Sequence, residues 1–89
     1  MNRPIIIDEC ISEAITALIS SLQIRRIEKG DGVFVSRHEI LGILTEEFKE
    51  LIDATKSNKL IGFQSELMDI AVAAVFGFAC SIQKDALDW

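Results

Sequence analysis

Glu47 and Glu50 stand three residues apart in Glu46-Glu47-Phe48-Lys49-Glu50-Leu51, and Glu66 and Asp69 stand three apart in Glu66-Leu67-Met68-Asp69. On a helix that spacing puts both members of a pair on one face. Each stretch is otherwise apolar enough to be a packed helix. Two helices that push such pairs toward a common seam form an oxygen-rich pocket. Hard divalent cations such as Mg²⁺ or Mn²⁺ take oxygen ligands of this kind. The spacing therefore points to a metal-dependent active site built from the two pairs.

The elements that must position these acids are readable from periodicity. Leu44, Glu47 and Leu51 follow a three-four spacing, so Glu47 lies within the apolar stripe of its own helix. Glu50 falls on the adjacent flank, near Ile43 and Ala54. Glu66, Asp69, Ala73, Phe76 and Cys80 form one stripe, acidic at its start and apolar afterwards. Carboxylates in such positions are costly unless paired or metal-bound. The competing reading is a set of solvated helix residues in a chain with fourteen Asp and Glu, with Lys49 and Lys56 as ordinary ion-pair partners.

Three helices are expected. Ile11, Ile15, Leu18 and Leu22 mark an amphipathic helix over residues 8–29, with Pro4 at or before its start. Gly30 is its natural stop, and Arg25, Arg26 and Lys29 suit the negative end of its dipole. Residues 31–35 form a connector. Val33, Phe34 and Val35 are strand-like, but one such run has no partner for a sheet, so an extended loop packed on the bundle is expected. Ser36 and Glu39 have capping-box spacing and open a second helix that runs to about residue 57. A third helix covers about residues 60–83. Between residues 70 and 80 it is apolar on every face, which requires burial all round. The tail, residues 84–89, adds at most a short turn, with Trp89 a possible anchor on the bundle.

The chain has 89 residues, 49% of them hydrophobic, and a formal net charge of −5. The length fits one domain, residues 1–89, with a limited core of its own. So much apolar surface in so short a chain implies a homodimer or homotetramer in which subunits share a core. The fold class is all-α: a bundle of three main helices completed by homo-oligomerisation. The acidic balance argues against binding a nucleic-acid polymer, whose affinity comes from Lys and Arg on phosphates. A nucleotide held through a metal remains compatible. Cys10 and Cys80 form no CxxC pair and read as buried, reduced thiols. The opening residues lack the pattern of a signal peptide and the 70–80 run is short for a membrane span, so a cytoplasmic location and no membrane partner are expected.

Glu47-x-x-Glu50, fifteen intervening residues and Glu66-x-x-Asp69 resemble the ExxE…ExxD signature of the MazG-like all-α nucleoside triphosphate pyrophosphohydrolases. Glu46-Glu47-Phe48-Lys49-Glu50-Leu51 is similar to the family's EExxEL, and Glu66-Leu67-Met68-Asp69-Ile70 to its ELxDV. The lead-in Ser36-Arg37-His38-Glu39 looks like a variant of some short members. The resemblance covers about half of the chain, residues 37–80. It implies hydrolysis of a nucleoside triphosphate to the monophosphate and pyrophosphate. It implies Glu47, Glu50, Glu66 and Asp69 as Mg²⁺ ligands, with Mn²⁺ a substitute. Glu46, or one of the ligand Glu side chains, would then orient the attacking water. Where members often carry a base-stacking aromatic residue, this chain has Ala73, and Phe76 lies one turn further. A further helix of larger members is expected to be short or missing.

His38, the only histidine, is a candidate contact to nucleotide or partner chain, against an ordinary surface or capping role. Neither acidic pair has a Glu-x-x-His partner, which argues against a ferritin-like di-iron site. Arg37, Lys49, Lys56 and Lys59 are candidates for phosphate contact, against plain solvated charge. There is no Gly-rich phosphate loop, and neither cysteine has a polar setting for nucleophilic catalysis. The alternative function is a non-catalytic helical oligomerisation or regulatory module on the same scaffold. A third is a structural helical dimer with solvated acids.

Overall fold

The computed structural model describes residues 2–83, which form three α-helices. Helix α1 spans Asp8–Lys29, α2 Arg37–Lys56 and α3 Leu60–Ile82. Asp8 and Glu9 face the positive end of α1. Gly30 closes it at φ +83, a conformation that glycine adopts without strain, and its N–H donates to the Arg26 carbonyl at 2.8 Å. At the start of α2 the Glu39 N–H donates to Ser36 Oγ at 3.2 Å. The Glu39 carboxylate accepts from the Val35 N–H at 2.9 Å, one residue earlier than in the reciprocal capping box. Only residues 57–59 separate α2 from α3, so the two run antiparallel as neighbours, with Asn58 at φ 61 in the reversal.

Helix α3 is the centre of the molecule. It packs on α2 along much of its length and on α1 over a shorter stretch, while α1 and α2 do not pack directly on each other. Gly77 permits a close approach of α3 to α2. A Cβ there would sit 3.1 Å from Ile40 Cγ2. The connector between α1 and α2 is extended, as expected, but only Phe34 packs well. Its ring meets Phe76 edge to face, centroids 5.1 Å apart at 79°. Val35 stays exposed. The tail expected to add a turn and carry Trp89 lies outside the described residues.

Little of this chain is buried by the chain itself. Among the described residues Val72, Gly77 and Cys80 are the buried positions, all on α3. Cys10 is exposed, contrary to the expectation of two buried thiols. The cause is positional: it lies in the first turn of α1, and residues 8–17 of that helix are all exposed among the described residues. Ile11, Ile15 and Ile19 on α1 are each about half exposed, and Phe78 and Ile82 on α3 more so. The radius of gyration is 15.0 Å, against about 12 Å for a compact domain of this length. The accessible surface of 7286 Å² exceeds the roughly 5200 Å² of a compact monomer of this mass by about 2000 Å². The core is incomplete, and these exposed apolar faces call for a partner or an oligomer.

By length and composition α3, at 23 residues, is apolar enough to cross a membrane. Two acids, Glu66 and Asp69, interrupt it. Beyond Asp69 the uncharged part, residues 70–82, spans about 20 Å at the helical rise, short of a hydrocarbon core of roughly 30 Å. Glu66 and Asp69 face the acidic pair of α2, and Asp69 also meets Arg25.

Candidate metal centre

The antiparallel hairpin sets the second half of α2 opposite the first half of α3. That places Glu47 and Glu50 across from Glu66 and Asp69. One carboxylate oxygen from each of the four lies within 4.8 Å of the other three. Oxygens that share one octahedral Mg²⁺ are at most about 4.2 Å apart, so the four carboxylates stand close to a single coordination sphere and would draw in by some tenths of an ångström around one ion. Glu47, Glu66 and Asp69 are half-buried, and Glu50 is exposed at the edge. Two oxygens, Glu47 Oε2 and Glu66 Oε2, are shut off from solvent and have no hydrogen-bond partner. Orphaned buried acceptors are uncommon and costly, and a cation would satisfy both at once.

The electrostatics record the crowding. Burial first, then the neighbouring Glu50 and Asp69, push the Glu47 carboxyl above the usual carboxylate range, and Arg25 pulls it partly back. Glu66 is raised too. The causes are burial, then the charge of Glu50, a hydrogen bond with Glu50 and the charge of Asp69. Arg25 apart, these causes favour the neutral acid, and the charge of a divalent cation would oppose them.

Helix α1 also reaches the site. Arg25 Nη2 donates to Asp69 Oδ1 at 2.7 Å, with about a third of each side chain exposed. Beside this pair opens a groove of about 350 Å³. Its lining includes the acids Glu46 and Glu47, the bases Arg25, Arg26 and Lys29, and the apolar Phe34, Ala73 and Phe76. Arg26 is also paired with Asp31 at 2.6 Å.

The four acids proposed from spacing are thus brought together, and Glu46 and Phe76 stand on the adjoining groove. His38, Lys49 and Lys56 are exposed and lie outside the groove lining. Arg25, Arg26, Lys29 and Phe34 were not anticipated there. A signal for Arg25 exists: Leu18, Leu22, Arg25 and Lys29 continue the four-three-four stripe of α1, so Arg25 faces the bundle. Comparison with known proteins finds no matching family model, curated protein or solved structure. What stands is an all-α three-helix protein with an acidic cluster on two helices that could bind a metal ion.

Proposed function

We propose that the protein is a Mg²⁺-dependent nucleoside triphosphate pyrophosphohydrolase, converting a nucleoside triphosphate and water to the monophosphate and pyrophosphate. One observation carries the reading: four carboxylates converge to within 4.8 Å of one another, and two of their oxygens are buried without a partner. The MazG-like motif spacing and the groove beside the cluster support it.

Glu47, Glu50, Glu66 and Asp69 would hold the ion, Mg²⁺ or Mn²⁺. Bound there, it would act as a Lewis acid on phosphoryl oxygens and lower the pKa of a bound water. Glu46 is exposed on the groove wall one residue before Glu47, where its carboxylate would orient the attacking water. Arg26 and Lys29, from α1, also line the groove and would attract phosphate charge. Phe34 and Phe76 offer an apolar wall to the base. The incomplete core supports assembly as a homodimer or a dimer of dimers, since an excess of about 2000 Å² per chain is the scale of an obligate interface.

Glu47→Gln or Asp69→Asn should abolish pyrophosphate release while helix content by circular dichroism stays near that of the parent. Full activity in either variant would break the assigned ligand set. Ala73, on the groove wall where family members often stack a base, favours a second reading. In it the scaffold is a non-catalytic regulatory module, which predicts Mg²⁺ binding with no turnover of any nucleotide.

A further inference from the structure

We propose that Arg25 is an exchangeable counter-ion of the acidic cluster: a divalent cation takes its place at Asp69, and the released guanidinium grips a phosphate group in the adjoining groove. The inference rests on the metal-binding reading above and adds its regulation, in which the ion prepares the site for the anionic ligand.

Arg25 belongs to the cluster and to the groove at once. Its Nη2 donates to Asp69 Oδ1 at 2.7 Å, and the same residue lines the groove with Arg26 and Lys29. A planar guanidinium docked on one side of the cluster does not enter it. Glu47 Oε2 and Glu66 Oε2 stay without a partner although a cation stands beside them. A small ion among the four oxygens satisfies them together, and its two positive charges then face Arg25 at short range. Repulsion between close like charges loosens the Arg25 pair. The pair is about a third exposed, so its own hold is modest and solvent-screened. Once loosened, the arginine fork suits the oxygens of a phosphate, which it binds in bidentate fashion.

The full chain, stripped with chelator, is titrated with Mn²⁺ by calorimetry as the wild type, Arg25→Gln and Arg25→Lys. Arg25→Gln should bind Mn²⁺ up to about fivefold tighter, the scale of a partly exposed ion pair. Arg25→Lys should lie closer to the wild type. With Mn²⁺ saturating, inorganic pyrophosphate should bind Arg25→Gln about tenfold or more weakly than the wild type, as loss of a charged hydrogen bond implies. In the wild type, saturating Mg²⁺ should move the Arg25 Nε–Hε NMR resonance away from its ion-paired position. That measurement decides the matter even if Arg25→Gln does not fold. An Arg25 resonance unmoved by bound Mg²⁺, or Mn²⁺ affinity unchanged or weakened in Arg25→Gln, would overturn the exchange while leaving the metal site intact. No Mn²⁺ binding by either protein would overturn both.

Discussion

Replacing Glu47 by Gln should change stability in opposite directions with and without a divalent cation. Burial and three like-charged neighbours make the ionised Glu47 unfavourable, outweighing the attraction of Arg25. Glutamine removes that charge, and its amide can donate to the carboxylates of Glu66 or Asp69. In EDTA at neutral pH the variant should therefore melt at or above the wild type. In Mg²⁺ the order reverses, because the variant has lost a ligand. For the wild type at an ion concentration about a hundredfold above Kd, mass action adds roughly 2.7 kcal/mol. A domain of this size gains about 4–8 °C per kcal/mol, so the wild type should rise by roughly 10–20 °C and the variant by little. The assay is thermal unfolding by circular dichroism at fixed protein concentration, since assembly also shifts the melting point. The reasoning fails if Glu47→Gln melts below the wild type in EDTA, or if Mg²⁺ raises both equally.

Three other perturbations test neighbouring parts of the argument. The Glu47 and Glu66 carboxyls are raised in the folded state, so their contribution is fully present below the ordinary carboxylate pKa and is lost as pH rises through the folded values. In EDTA the melting point should fall from about pH 5 to neutrality, and the gain from Mg²⁺ should grow over the same range; a flat profile contradicts the crowding. Gly77→Ala should cost about 1–3 kcal/mol by pressing a methyl on Ile40, with part of the loss recovered in the double variant with Ile40→Ala, measured by thermal melts. Ile15→Glu or Phe78→Glu should weaken assembly in sedimentation experiments in aqueous buffer. Unchanged sedimentation in both would assign those exposed faces to a different partner.

Periodicity and caps located the helices almost residue by residue, because Gly30, Ser36 and the short polar reversal at residues 57–59 each act through local backbone chemistry. The acidic pairs were legible for the same reason, since a spacing of three on a helix fixes a shared face. Cys10 was misjudged because burial is decided by neighbours, and the N-terminal half of α1 stays exposed among the described residues. The approach of Arg25 to Asp69 joins positions 44 residues apart. Its place on the α1 stripe was visible, but which helix that stripe would meet was not. Phe34 is similar: an apolar residue in a connector declares that it will pack, not that it will meet Phe76.

Pyrophosphate release from a panel of ribo- and deoxyribonucleoside triphosphates, with Mg²⁺ and with EDTA, is the most direct test of the proposed chemistry. Release that requires the metal and disappears in Asp69→Asn is the expected result. Silence across the panel from a folded, assembled protein would contradict the hydrolase and leave the acidic cluster to a non-catalytic role.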